Sequence, residues 1–497
     1  MIAPQWRLFL MVVLFAAGVR AAMLWGGWDN LREDPDAYTA MSQTLARTGV
    51  FGLTAADGTP TPTAFRPPLY PAILSGLTLA IITVGGDFAD PLAVENLHAY
   101  RIAVALLHWI LGLLSVAATY AAARRMLRRC AGPADTHRSE PAAAFAALLV
   151  AIDPILLQSS TRVMTETLAT TLAAVGLLAW AVLVDRLQPS SQGEPLAEGK
   201  VTGRTLTVAM AVSLILGLAY LCRPTFIVWT GLLAGYLLAW AIGMRSLRPL
   251  TAAGVIVSLN AVLVGGWSLR NQRHFDQPIW ATTHGGYTLL LGNNPPFYEY
   301  LRERAWGIAW DPQFFFERWE ARTLADPRVP DYWERDIEVT ADPDWLKSQP
   351  AAADEVAQDR LAYETAKMTI RQDPAGLIRA CSYRVTRLWS PLPLRHGGPL
   401  SVAIMAVTGF YSLSLLSVLV GLMMLRRQLW QPIWAASLSL VLALIAVHAV
   451  YWTDMRMRSP AIPVLAILAA VPLHYPRIAQ RLFPRLRENC QGNLNNS

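Results

Sequence analysis

Four short stretches set carboxylates and arginines beside prolines and aromatics at the ends of apolar runs. They are Glu33-Asp34-Pro35-Asp36-Ala37-Tyr38, Phe65-Arg66-Pro67-Pro68-Leu69-Tyr70-Pro71, Arg162-Val163-Met164-Thr165-Glu166-Thr167 and Cys222-Arg223-Pro224. Charged side chains at membrane depth are costly, so acids and arginines kept there are functional candidates by default. A carboxylate in such a place can take the proton of a reacting hydroxyl, and guanidinium groups hold oxyanions through charge-assisted hydrogen bonds. Each residue also has a plainer role. Asp34 is a good N-cap, Pro35 suits a first helical position and Asp36 falls in the acid-favouring first turn, so both acids can serve a helix start. Arg66 and Arg223 can snorkel to headgroups, and Arg456 and Arg458 can anchor the last apolar run. His284 stands in the Gly-rich stretch Thr283-His284-Gly285-Gly286-Tyr287, where a structural turn is the simpler role, and His448 reads as a packing residue. Cys130, Cys222, Cys381 and Cys490 lack metal-pair spacing and read as free thiols, with a Cys222–Cys381 disulfide as the alternative. No His/Cys/Asp cluster has metal-ligand spacing; a divalent cation shared by Asp34 and Asp36 stays open.

The elements that must position these residues are membrane spans. The chain of 497 residues is 54% apolar and 15% charged, against about 25% charged in an average soluble protein, and its apolar runs of about 20 residues match the hydrocarbon core. The net charge of +7 is not a nucleic-acid footprint, because no basic soluble domain interleaved with aromatics is present. Arginines instead follow alternate runs, at Arg124, Arg125, Arg128 and Arg129, at Arg245 and Arg248, at Arg426 and Arg427, and in the tail at Arg477, Arg481, Arg485 and Arg487. Basic flanks are retained in the cytoplasm. Alternating the loops by that rule predicts about ten spans with both termini cytoplasmic, in a plasma (inner) membrane. The first run, 8–25, counts as a span and not a cleaved signal, since cleavage would turn every basic loop outward.

Three parts follow: an N-terminal membrane module (1–269), an extracytoplasmic domain (270–397), and C-terminal spans with a basic cytoplasmic tail (398–497). The first outer loop, 29–99, carries interfacial helices. One is expected to start at Asp34, with Ala37, Met41, Leu45 and Thr48 on its lipid-facing side. The run 69–84 would reverse all later loops if it crossed, so it is expected to rest in the outer leaflet. The block 270–397 holds about half of the acidic residues in about a quarter of the length, which suits an extracytoplasmic position. Within it, 353–371 reads as a helix and 311–350 as loop with short turns.

Taken in order, the motifs resemble the GT-C membrane glycosyltransferases. They are most similar to the bacterial family 39 type, which includes protein O-mannosyltransferases and the lipid A aminoarabinose transferase. The resemblance rests on the Asp-x-Tyr loop, Arg-Pro-Pro-Leu-Tyr-Pro, Thr165-Glu166 between spans, Arg223-Pro224, Thr283-His284-Gly285-Gly286-Tyr287 with Leu291-Gly292-Asn293-Asn294-Pro295, Arg387-Leu388-Trp389-Ser390-Pro391 and Arg456-Met457-Arg458-Ser459-Pro460. It covers nearly the whole chain. It implies an all-α, multi-pass GT-C fold with a mainly helical extracytoplasmic domain. The implied activity is inverting transfer of a sugar from a polyprenyl-phosphate donor to a lipid, glycan or protein acceptor among membrane lipids. Asp36 matches the family's first-loop base, although Ala37 stands where many members have a second acid. Arg66, Arg223, Arg456 and Arg458 are the implied ligands of the donor phosphate, and Asp34, Tyr38, Tyr70, Glu166 and His284 the implied substrate contacts. Three other readings stay open: a polysaccharide polymerase or ligase using a diphosphate-linked donor, a secondary transporter, which would need paired halves with midplane sites, and a non-catalytic assembly or scaffold protein whose large block binds a partner.

Overall fold

A computed structural model describes residues 4–85, 94–130, 138–188, 202–303, 308–320, 332–333, 354–394 and 401–475. An apolar run in hydrocarbon must satisfy its backbone internally and therefore forms a helix. In chain order the N-terminal half contains α1 (Pro4–Gly26), α2 (Tyr38–Thr48), the strands β1 (Gly52–Thr54) and β2 (Pro60–Pro62), α3 (Leu69–Gly85), α4 (Val94–Cys130), α5 (Ser139–Ile152), α6 (Pro154–Ser160), α7 (Glu166–Leu187), α8 (Gly203–Cys222) and α9 (Phe226–Met244). It continues with α10 (Leu247–Phe275), α11 (Gly285–Leu291), α12 (Pro295–Glu303), α13 (Gln313–Glu320), α14 (Glu355–Gln372), α15 (Pro374–Leu388), α16 (Val402–Leu425), α17 (Ala435–Val450) and α18 (Ile462–His474). Among the described residues nine helices are long and apolar enough to cross a membrane, or ten if the bent pair α5–α6 makes one span. The protein is a multi-pass integral membrane protein of largely helical architecture, as expected. The apolar part of α3, Leu69–Thr83, falls short of spanning length.

The 50° bend between α5 and α6 has a local cause. Pro154 has no N–H to continue the ladder of α5, and Asp153 leaves the helix in extended conformation to cap α6, accepting from Leu156 N at 3.0 Å. The Tyr411 hydroxyl donates to the same oxygen at 3.0 Å, so this buried carboxylate is not left unpaired.

Small residues bring the spans together. Ala142, Ala143, Ala146, Ala147 and Ala151 of α5 are buried, where α5 packs on α4 and α18, and side chains of this size let helix backbones approach closely. Trp180 and Trp229, both fully buried, donate to Pro432 O and Ala436 O at 2.8 and 3.0 Å, pinning the start of α17. At one end of the bundle Arg124 and Arg128 pair with Glu140, and Arg125 and Arg129 with Asp185, at 2.5–2.7 Å. The basic tail from Arg477 onward and Cys490 lie outside the described residues. Cys130, Cys222 and Cys381 are free thiols, so the disulfide alternative does not hold.

At the other end lie the first loop and the polar block. The first-loop helix departs from expectation. It begins at Tyr38, behind Ala37 in left-handed conformation (φ 59°), and so neither Pro35 nor Asp36 is helical. Asp34 reaches past the start to accept from Ala40 N at 3.0 Å. The buried face of α2 is Tyr38, Met41, Ser42 and Thr44, not the expected Ala37–Met41–Leu45–Thr48 stripe, because α2 packs on α3 and the β-hairpin, with Thr44 Oγ1 3.0 Å from Thr54 Oγ1. The hairpin, unforeseen in an all-helical reading, pairs Gly52 with Pro62 and Thr54 with Pro60, antiparallel. In the block, the helix expected at 353–371 is α14, capped by Asp354 accepting from Val356 N. The loop expected at 311–350 falls mostly outside the described residues; α13 occupies its start. Arg384 of α15 is fully buried and ties the block to the bundle. It donates to Ala449 O at 2.8 Å and to Gly292 O, while Asn293 Nδ2 donates to Val450 O at 3.0 Å. Those carbonyls of the last turn of α17 have no partner within the helix, and these two side chains supply one.

Candidate active site

The chain from Phe51 to Arg66 is held on every side before it presents its arginine. Thr63 N donates to Phe51 O at 3.2 Å. Arg270, at the end of α10, donates to Thr63 O and Phe51 O at 2.8 and 2.5 Å. Thr63 Oγ1 and Ala64 N donate to the two carboxylate oxygens of Glu355 at 2.5 and 2.6 Å, and Thr283 N donates to Ala64 O at 3.0 Å. Fixed in this way, Arg66 Nη2 donates to Asp36 Oδ1 at 2.6 Å, and Arg66 Nε to Asp36 O at 3.3 Å. The left-handed turn at Ala37 is what aims Asp36 away from the helix and toward Arg66. The pair is partly open, the side chains being 21% and 14% exposed, so a ligand can reach it.

A second ionic group lies close enough for its charge also to act on Tyr38. Glu166, at the first turn of α7, is 2% exposed and accepts from Arg223 Nη2 at 2.8 Å, with Arg456 Nη1 at 3.9 Å. Arg223 Nε also donates to Thr165 Oγ1 at 2.9 Å. Pro224 ends α8 one residue on, which places the guanidinium at the helix terminus. Burial pushes the Tyr38 phenol well above its ordinary value, with the charges of Arg66 and Arg223 both acting on it in the opposite direction. Tyr38 is thus a neutral hydroxyl on which charges of both groups act. Its ring packs edge-on against Tyr70 (5.2 Å), whose hydroxyl lies 2.8 Å from His108 Nε2, while His108 Nδ1 lies 2.8 Å from Ser160 O. This buried chain supports the floor of the site.

His284 adjoins the first pair. Its ring contacts Phe65 at 4.7 Å and Tyr287 at 4.8 Å, and burial, with help from the Arg66 charge, pushes its pKa down to about 3. It is a neutral side chain here. The neighbouring glycines admit protein, not backbone approach by a sugar: a Cβ at Gly286 would stand 2.1 Å from Asp359 O, and one at Gly285 would stand 2.2 Å from the Tyr363 hydroxyl. Asp359 Oδ1 accepts from Gly286 N at 2.6 Å; burial raises its carboxyl to about 6.

Of the residues singled out in the sequence, Asp36, Tyr38, Arg66, Tyr70, Glu166, Arg223, His284 and Arg456 come together. Asp34 and Arg458 do not face the ion pairs. Burial raises the Asp34 carboxyl, against the N–H groups of Ala40, Thr39 and Tyr38, so it serves the start of α2, while Asp36 serves Arg66. Arg458, fully buried, donates to Leu388 O and Ser390 O at 3.1 and 2.7 Å and lies over the Tyr411 ring at 4.2 Å. Residues 455–461 form a 3-10 helix, in which positions two apart point in different directions; Arg456 turns to Glu166 and Arg458 to the Arg-Leu-Trp-Ser-Pro segment. Among the described residues no three His, Cys, Asp or Glu side chains gather as a metal site would require. His108, Arg270, Glu355 and Asp359 had no signal marking them in sequence, since every partner is distant in the chain.

Residues 61–280, less than half of the chain, match the Alg9-like mannosyltransferase family. No curated protein matches the sequence. Among solved structures, the Archaeoglobus fulgidus oligosaccharyltransferase in its apo form is 14% identical, with a TM-score of 0.51 over 97% of this chain and 52% of its own. The present chain therefore spans about half the length of that enzyme. ArnT from Cupriavidus metallidurans bound to undecaprenyl phosphate is 15% identical over 95% of this chain and 78% of its own, with a TM-score of 0.37. Helical architecture, span number and the oligosaccharyltransferase likeness together establish that the chain has the GT-C fold.

Proposed function

We propose that the protein is an inverting glycosyltransferase that moves a sugar from a polyprenyl-phosphate donor to a lipid, glycan or protein acceptor. The observation that carries the reading is the two ionic groups, Asp36–Arg66 and Glu166–Arg223–Arg456, with charges of both acting on one neutral tyrosine. Three guanidinium groups against two carboxylates leave one positive charge (3 − 2 = +1). A polyprenyl-phosphate sugar is a phosphodiester with one negative charge, so it would neutralise the site on binding. Arg66 then exchanges Asp36 for a phosphate oxygen, which leaves Asp36 free to accept the acceptor hydroxyl's proton. The acceptor oxygen attacks the anomeric carbon from the face opposite the phosphate, the carbon–oxygen bond to phosphate breaks, and polyprenyl phosphate departs. With Asp36 protonated the site carries a charge of +2 (3 − 1), which matches the leaving phosphate monoester dianion.

Tyr38, Glu166 and His284 serve as substrate contacts in this reading, while the fully buried Tyr70 supports Tyr38 from beneath. In this reading residues 1–269 supply most of the site, 270–397 add His284 and 398–497 add Arg456. The arginine-rich loops at the far end of the bundle support a cytoplasmic position for them, and so an outer-face position for the site, in a plasma membrane of bacterial type with both termini inside. The partial match to a mannosyltransferase family and the fold of an oligosaccharyltransferase favour sugar transfer over transport. The test is Asp36→Asn, assayed with purified protein, membrane extract and a panel of radiolabelled polyprenyl-phosphate sugars. Transfer should fall to background while melting behaviour is kept. Wild-type transfer by this variant would remove Asp36 from the chemistry.

A further inference from the structure

One helix of the polar block grips both segments that carry the donor-facing side chains. Glu355 and Asp359 lie one turn apart on α14, and residues spaced i, i+4 share a face. Glu355 accepts from Thr63 Oγ1 and Ala64 N, immediately before Phe65-Arg66, and Phe65 N donates in turn to Thr63 Oγ1 at 3.0 Å. Asp359 accepts from Gly286 N, immediately after His284-Gly285. The two gripped segments also bond each other through Thr283 N and Ala64 O, and the Phe65 ring meets His284. Both carboxylates are spent on backbone and side-chain donors that would otherwise have no partner at this packed junction, and carboxylate-to-amide bonds are of the strong, charge-assisted kind. The bare Gly285-Gly286 pair is required by the same contact, since α14 occupies the space a Cβ would need.

We infer that Glu355 and Asp359 form a two-carboxylate clamp of positioning residues, through which α14 sets Arg66 and His284 in register for the donor phosphate. The inference rests on the reading of Arg66 as a donor ligand. Neither carboxylate touches substrate in this scheme; each acts through the backbone it holds. The polar block is then a working part of the donor site.

The test uses the full-length protein in detergent micelles, with undecaprenyl phosphate as the binding probe and amide hydrogen exchange as an independent readout. Glu355→Ala and Asp359→Ala should each weaken probe binding about tenfold, the size of effect expected when a hydrogen bond to a charged group is lost. They should also raise exchange at residues 63–66 and 284–287 respectively, with the spans still protected. Asp359→Asn keeps an oxygen for Gly286 N and should bind nearly as the wild type; Glu355→Gln, with one acceptor oxygen left, should fall between. Wild-type binding and exchange in Glu355→Ala and Asp359→Ala, or an Asp359→Asn as damaging as Asp359→Ala, would overturn the clamp. Unchanged binding in Arg66→Ala would instead remove Arg66 from the donor site, while the exchange data would still decide whether α14 holds the two segments.

Discussion

Glu166 is the most enclosed charge in the site, and its stability depends on its arginines. A buried carboxylate stripped of its partner leaves an uncompensated charge that costs about 3–5 kcal/mol. Arg223 is the near partner at 2.8 Å and Arg456 the far one at 3.9 Å. Arg223→Ala should therefore lower stability sharply as well as transfer, and Arg223→Ala/Glu166→Gln should recover most of the stability but not the transfer. Paired melting curves in detergent check this; a single variant as stable as the wild type would mean that Arg223 does not neutralise Glu166. Asp36 differs because its pair with Arg66 is partly open, and the proposed mechanism requires Arg66 to release it before it can act as a base. Burial pushes the His284 imidazole down to about 3, which accords with the proposed mechanism's assigning proton uptake to Asp36.

At the scale of elements, the position of Asp36 is decided by how α2 begins. A non-glycine residue in left-handed conformation costs about 1–2 kcal/mol, and Ala37 adopts it at φ 59°. That turn is what separates the capping acid Asp34 from the site acid Asp36. Ala37→Gly should thus raise stability by about 0.5–1 kcal/mol, as expected where a glycine relieves a positive φ, and should keep the Asp36–Arg66 pair; Ala37→Val should lose both stability and transfer. Chemical denaturation of the two variants reads the sign. A destabilised Ala37→Gly would contradict the turn. The last motif shows the same logic: Arg456 and Arg458 are neighbours in sequence, yet the 3-10 turn sends one to Glu166 and the other to the carbonyls of Leu388 and Ser390. That second bond locks two motifs, each weak alone, into one joint beside the site.

For the whole molecule, the spans separate the Asp36–Arg66 and Glu166–Arg223 pairs at one end from the arginines paired with Glu140 and Asp185 at the other. In a background with its four cysteines replaced, Ala56→Cys in the hairpin turn should react with an impermeant maleimide on intact cells. Arg427→Cys should react only after permeabilisation. The reverse pattern would invert the orientation and place the site in the cytoplasm. Because α11 to α15 are tied to the end of α17 through Arg384 and Asn293, the polar block follows that orientation.

The spans were readable from the sequence because burial in lipid imposes a requirement each segment meets alone: about 20 apolar residues with an internally bonded backbone. Pro224 follows the end of α8 for an equally local reason. The family-like order of acid, arginine and aromatic motifs pointed to the residues that would meet, though not to how. Which carboxylate leaves α2, which arginine of residues 456 and 458 turns inward, and what holds Arg66 were decided by tertiary contacts alone. Glu355 lies 292 residues from Thr63 and Asp359 lies 73 from Gly286. A hydrogen bond depends on distance in space, and no period or spacing along a chain encodes a partner so far away.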